Sequence, residues 1–504
     1  MTRLPWATGG TLLALVLVSP AWAQPSPPPG PVRPRTIVTA DPELDDSNSL
    51  VRFLLYSTDV QTEGLVYASS RYHWKGDGKG TTMHLPGREY SRLGPQTSWR
   101  WKPGERFIDD AVDIYSKVYD NLKVHDANYP TPESLRAKIH VGNVEFEGDI
   151  SKDTPGSDLI KRVLLDDKGG PVYLLAWGGQ STIARALKSI QLQYENKPEW
   201  PNIAEAVSRR AIIQAFGDQD GTYASYIKPN WPKIEFRSMA TGTWGYGARS
   251  VVLPEFAKYL SASWTEKHVS KVGPFGSFYR VWGDGKQMVP GDRTDYFGFS
   301  GLTARELKAK GYWVWMPVRE KGSWISEGDS STFMNLLANG LRAYEDATYG
   351  GWGGRKGNDS DAGGKKPPDY ATARWFEFAQ LDFAARLQWS VTPKFGGANH
   401  APKVSMDGRL NVTAAAGDTI PLKAAATDPD GNELTVRWQQ YRDAGTYPGV
   451  VTFSNAKSLV SSIQVPDDAK PGQTIHLLLQ VTDNGTPALT SFQRVIVTIG
   501  RKSN

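Results

Sequence analysis

"RTIVTADPELDDSNSLVRFLLYS", residues 35–57, runs a strand, an acidic turn and a helix together. Ile37 and Val38 are β-branched and apolar, which suits a strand buried on both faces. After the turn, Leu50, Phe53 and Leu54 recur at helical spacing. Between the two lies "TADPELDD" (39–46), where Asp41, Glu43, Asp45 and Asp46 fall within eight positions. An acidic helix cap explains one or two of these carboxylates through the exposed backbone N–H groups and the helix dipole. Screening by solvent on an ordinary acidic turn is the competing account. The density beyond a cap suits hard oxygen ligands around Ca²⁺.

The same rhythm continues along the chain. "TEGLVYAS", "PVYLLAW", "AIIQAFG" and "IEFRSM" read as further strands. "RFIDDAVDIYSKVYDNLKV", "DLIKRVLLDD", "QSTIARALKSI", "IAEAVSRR" and "TYASYIKPN" read as helices between them. Apolar strands alternating with helices predict an α/β fold with a mainly parallel sheet flanked by helices. Ligands of such sheets bind beyond the carboxyl ends of the strands, where the acidic cluster lies. Near residue 396 the helical periodicity stops at "FGGANHAPKV". Short alternating strands follow, with Trp438 inside one and no cysteine anywhere, which predicts an all-β Ig-like sandwich.

Composition narrows the function. At 504 residues the chain is long enough for two or three domains. Its net charge of +5 is small and no Lys/Arg-rich run occurs, so nucleic acid is an unsupported partner. The absence of cysteine excludes disulfides and thiolate metal sites. Arg3, the apolar run "TLLALVLV" and Ala21-Trp22-Ala23 predict a secretory signal peptide over 1–23, cleaved after Ala23 and too short for a membrane span. The mature protein is then expected to be secreted or periplasmic. Residues 24–35 are a Pro-rich spacer. The expected domains are 36–395 and 399–504.

Here the residues reach a resemblance. "TADPELDD" resembles the aspartate-rich signature of nucleoside hydrolases, and "LLAWGGQSTIARAL" and "SWISEGDSSTFMNLLANG" match later segments of that family in order. The whole chain is similar to secreted bacterial cellulose-binding proteins that join a nucleoside hydrolase-like domain to an Ig-like C-terminal domain. "GDQDGTYASYIKPNWP", "YGGWGGR", "FAQLDFAARLQW", "TDPDGNELTVRWQQY" and "TDNGTPALTSFQRVIV" carry that likeness.

The resemblance implies a Ca²⁺ cofactor held by Asp41, Asp46, Asp329 and the backbone carbonyl of Trp177. It implies Asp41 as general base on water and Asp45 as acceptor for sugar hydroxyls. Thr39 and Glu43 depart from the signature, and Asn-rich sugar-binding segments are not recognisable. Ser70, His73, Gln219, Asp220, Tyr223 and Glu327 are the candidate substrate contacts in their place, with His73 or Tyr223 as a proton donor to a leaving group. A structural histidine or tyrosine is the competing reading.

"YGGWGGR" places Trp352 or Arg355 at a pocket rim or is a structural turn. Trp313, Trp315 and Trp324 read as core, with a sugar-stacking platform as the alternative. Asp428, Asp430, Asn432 and Asp483 read as Asx turns, the alternative being a second calcium site. The expected activity is Ca²⁺-dependent hydrolysis of an N- or O-furanoside, ribonucleoside-like or pentofuranosyl. The alternative is non-catalytic binding of cellulose or another polysaccharide.

Overall fold

The computed structural model describes residues 33–502 apart from Asn358. The leader expected at 1–23 and most of the spacer expected at 24–35 lie outside them. Six strands form one parallel sheet: β1 Arg35–Ala40, β2 Gln61–Tyr67, β3 Ile139–Val141, β4 Val172–Ala176, β5 Ala211–Ala215 and β6 Glu235–Ser238. Their spatial order is β3-β2-β1-β4-β5-β6. All residues of β1, β4 and β5 are buried, as apolar runs covered by helices on both faces require. Helix α1 spans Leu44–Leu55 and α2 spans Phe107–His125. Helices Pro155–Leu165 and Ser181–Tyr194 pack with Ile37, Val66 and Leu174 in the core of the opposite face.

Two irregular stretches depart from this alternation. Residues 68–106 fold over a small core of Trp74, Tyr90 and Trp99, closed by an antiparallel bridge between Trp74 and Trp99. Beyond β6, short helical turns surround an aromatic group of Trp282, Tyr296 and Phe297. Trp313 and Trp315 sit in this part of the chain without strand pairing. The expected helix "TYASYIKPN" forms as two short turns, Tyr223–Ile227 and Lys228–Asn230.

After helix Phe376–Trp389 the chain becomes all-β. The strands are β7 Lys403–Met406, β8 Asn411–Ala414, β9 Thr419–Thr427, β10 Leu434–Gln440, β11 Val460–Gln464, β12 Thr474–Asp483 and β13 Thr490–Ile499. A four-stranded sheet β10-β12-β13-β8 and a three-stranded sheet β11-β9-β7 enclose a core containing Trp438. Asp428 and Asp483 accept backbone N–H bonds from the residues that follow them, as the Asx-turn reading expects. Trp375 and Phe378 meet Phe492 edge-on, so the sandwich shares a buried face with the α/β part. Among the described residues no helix is long and apolar enough to cross a membrane.

That shared face carries a titratable group. His476 in β12 is buried against the Tyr349 ring, near Arg494, whose guanidinium donates to the Tyr349 and Gly350 carbonyls. Burial first, then the Arg494 and Arg342 cations, push the imidazole down to about 3. The folded protein therefore binds fewer protons than the unfolded chain between about pH 3 and 6.5, and stability falls as pH drops through that window. His476→Leu is expected to flatten the acid limb of an unfolding-free-energy-versus-pH curve, from denaturant titrations, by up to ~1.4 kcal/mol per pH unit. An unchanged slope would contradict this.

Candidate functional site

The order of the parallel strands reverses between β1 and β4, and such a switch opens a crevice beyond their carboxyl ends. Asp41 directly follows β1 and Trp177 directly follows β4. A cavity of about 360 Å³ lies there. Glu43, Asp45, Asp46 and Asp329 line it with Trp177 and Gln219, and Phe216, Tyr246, Phe297 and Trp315 supply an aromatic part.

Each acid is held by identifiable contacts. Asp41 is fully buried; its Oδ2 accepts from Ser70 Oγ at 2.6 Å and lies 2.8 Å from His73 Nδ1. Its backbone N–H donates to Asp46 Oδ1 at 3.0 Å. Asp45 accepts from Ser326 Oγ at 3.2 Å and from the Tyr246 hydroxyl at 3.4 Å, and that hydroxyl also lies 3.3 Å from Glu43 Oε1. Two glycines permit the close packing. A Cβ on Gly178 would sit 2.6 Å from Asp41 Oδ1, and one on Gly328 would sit 2.6 Å from Asp45 Oδ2. In "LLAWGGQ" Gly178 is thus required by Asp41, and Gly179 by Asp220, whose Oδ2 its Cβ would overlap.

Electrostatics report the strain of this arrangement. Burial, then Asp45, pushes the Glu43 carboxyl up to about 8. Burial, then Asp41, pushes Asp45 up to about 6. Asp46 and Asp329 are raised well above the carboxylate range, by burial first and then by Asp329 and Asp45 respectively. A cation relieves such repulsion, and the donors fit one. Asp41 Oδ1 is buried with no hydrogen-bond partner among the described residues. Glu43, Asp45 and Asp46 each bring an oxygen within 4.8 Å of the others, as do Asp41 and Glu43 with a His73 nitrogen. An oxygen-rich set of this kind suits a hard divalent ion.

The expected residues divide into two groups. Asp41, Asp45, Asp46, Ser70, His73, Trp177, Gln219 and Asp329 come together. Gln219 Nε2 donates to the Trp177 carbonyl at 2.7 Å, leaving that oxygen its second lone pair. Ser70 and His73 reach Asp41 rather than the cavity surface, and three further expected substrate contacts are committed elsewhere. Asp220 accepts from Ser181 N and from Thr222 N and Oγ1, anchoring the start of helix Ser181–Tyr194. Tyr223 stacks on Phe236 at 3.8 Å. Glu327 is fully buried in an ion pair with Arg52 and accepts from Tyr279 and Ser330.

Arg100 is not among the expected residues, and several others take roles different from those expected. Glu43 is central to both compact donor groups, although the signature it departs from gives it no role. Arg100 has a left-handed backbone (φ 47) and pairs with Asp292 at 2.9 Å and Glu89 at 3.5 Å. Trp315 is 52% exposed at the cavity, which corrects its core reading, whereas Trp324 is buried. Trp352 is buried, and its carbonyl accepts from Trp244 Nε1, so "YGGWGGR" is structural there.

Comparison with known proteins agrees with this construction. No curated protein matches the sequence. A solved structure, described as a nucleoside hydrolase-related hypothetical protein from Saccharophagus degradans associated with carbohydrate metabolism, is 24% identical. It covers 93% of this chain and 100% of that one with a TM-score of 0.67, which shows the fold. The PKD domain from KIAA 1837 protein covers 19% of this chain and 83% of its own at 19% identity, with a TM-score of only 0.14. The family model "Cellulose-binding protein Sde0182, C-terminal domain" matches residues 419–499. Residues 35–355, the sheet and every acid of the cavity, match the model "Cellulose-binding Sde182, nucleoside hydrolase-like domain", and the chain belongs to that family.

Proposed function

We propose that this protein is a secreted Ca²⁺-dependent glycosidase that hydrolyses a furanoside in the cavity beyond β1 and β4. Residues 36–395 form its catalytic domain and 399–504 a supporting sandwich. The observation that carries this reading is Asp41. One oxygen is fixed by Ser70 and His73, and the other is buried and unpartnered beside four more carboxylates. A sheltered carboxylate with one free oxygen is suited to take a proton from water. The family's name and the carbohydrate association of the Saccharophagus protein point to a sugar ligand.

Asp41, Asp46, Asp329 and the Trp177 carbonyl would hold the cation, with Glu43 as a further carboxylate. When bound, Ca²⁺ supplies charge that lowers the pKa of water and neutralises the acids. The chain's own groups do the rest. Ser70 and His73 fix the Asp41 carboxylate so that its free oxygen meets the proton without reorganisation. Asp45, held by Ser326 and Tyr246, accepts hydrogen bonds from sugar hydroxyls. The neighbouring carboxylates stabilise positive charge at the anomeric carbon, and a single displacement by water inverts its configuration.

Asp41→Asn keeps an oxygen ligand but loses the proton acceptor. Activity on nitrophenyl furanosides, nucleosides or pentofuranosyl oligosaccharides is expected to fall by about 10²–10⁴-fold. Undiminished activity would remove Asp41 as base.

A second reading has one observation in its favour. Of the two expected leaving-group acids, Tyr223 stacks on Phe236 away from the cavity lining, and His73 is fully buried with Nδ1 facing Asp41. A cation-dependent sugar-binding protein needs no such acid. Reversible sugar binding without product, equally tight in Asp41→Asn, would establish that reading.

A further inference from the structure

The cavity has an aromatic part that the cation chemistry does not use. Trp315 is 52% exposed, yet its ring is fixed: it meets Tyr246 edge-on at 4.9 Å and 79°, and Phe297 at 5.7 Å and 88°. Its Nε1 donates to the Thr294 carbonyl at 3.3 Å. Tyr246 stacks on Phe297 at 5.6 Å and turns its hydroxyl back to Asp45 and Glu43. A rigid, solvent-facing indole joined to the acids through one tyrosine costs little entropy to present, and its π-face attracts the polarised C–H groups of a sugar ring.

The polar lining restricts the sugar further. Asp45 and Glu89, outside the proposed cation's ligands, accept hydrogen bonds and repel anions, while the Arg100 cation is engaged by Asp292 and Glu89. Hydroxyl groups donate to such a surface; a uronate or phosphate would place like charges together. The sandwich offers no rival platform among its described residues. Trp438, Tyr441, Tyr447 and Phe492 are buried, and Phe453 is half-buried against Trp438.

Resting on the sugar-site reading above, we propose that the exposed Trp315 ring, backed by Tyr246 and Phe297, is a second sugar subsite. The cavity takes a neutral oligosaccharide end-on, with its terminal unit at the carboxylates and the next unit on Trp315. The ligand is a chain end or soluble oligomer, and the sandwich does not grip a flat polysaccharide face.

The test is calorimetric titration of the full chain with cello-oligosaccharides and arabinofuranosyl oligosaccharides, from monosaccharide to longer oligomers. Oligogalacturonates and nucleosides serve as contrasts. Trp315→Ala is expected to weaken disaccharides and longer oligomers about tenfold and monosaccharides by less than about twofold, with Trp315→Phe near wild type. Unchanged oligomer affinity in Trp315→Ala, or an equal loss for monosaccharides, would overturn the subsite. Tighter binding of oligogalacturonates or nucleosides, or no binding in either neutral series, would do the same. Chelation separates the two claims. Oligomer binding that survives EDTA yet falls in Trp315→Ala contradicts the cation site and supports the subsite.

Discussion

Metal-stripped protein is expected to be less stable at about pH 8 than at about pH 5, and added Ca²⁺ to remove the difference. The sign follows from the carboxyls of the cavity. Unfolded, Glu43 and Asp45 titrate near their ordinary values of 4.5 and 3.8; folded without a cation they are pushed up to about 8 and about 6. Asp46 and Asp329 move in the same direction. Between those limits the folded state holds protons that the unfolded chain has released, so raising the pH favours unfolding. A cation that binds only the folded state replaces those protons. At about 100 times its Kd it contributes roughly 2.7 kcal/mol, several degrees in thermal midpoint. His476 works in the opposite sense only below about pH 6.5, so it does not mask the descent from pH 6.5 to 8. Thermal scans of EDTA-treated protein across this range, with and without Ca²⁺, are the check. A chelated protein whose stability is flat there would mean that the cluster needs no ion.

Glu327→Ala is expected to cost about 3–5 kcal/mol in a denaturant titration, regardless of any ligand. Arg52 and Glu327 are both fully buried. The guanidinium also donates to Gln380 Oε1 at 2.6 Å and the Ala379 carbonyl at 3.1 Å, and lies 3.8 Å from the Phe383 ring centre. Removing the glutamate leaves a cation sealed among neutral groups and strands the Tyr279 hydroxyl and Trp324 Nε1 that approach it. The double variant Arg52→Met/Glu327→Ala should recover a large part of the loss, because no buried charge is then uncompensated. A loss below about 1 kcal/mol in the single variant would show that the pair does not hold the fold.

Glu327, a candidate substrate contact by sequence, is the buried partner of Arg52. Adjacent carboxylates on one turn look alike in sequence, but a buried helical partner at position 52 turns one of them inward. Asp220 was hidden similarly: its hydrogen bonds reach back to Ser181, and no local pattern announces a long-range helix anchor. By contrast, the βα unit of 35–57 was legible because apolar spacing sets burial, and burial sets the sheet. The aromatic part of the cavity was not, because Tyr246, Phe297 and Trp315 come from irregular segments whose course is decided by tertiary packing. Ser70 and His73 stood between these cases. Their polar types in "ASSRYHW" suggested contact with a ligand, whereas the fold turns both toward Asp41.

The central claim is that the carboxylates after β1, joined by Asp329, form one cation site. Calorimetric titration of Ca²⁺ into EDTA-stripped, dialysed full-length protein tests it most directly. Saturable binding at one ion per chain, abolished or strongly weakened in Asp46→Asn, is the expected result. Absence of saturable binding, or binding undiminished in Asp46→Asn, would contradict it.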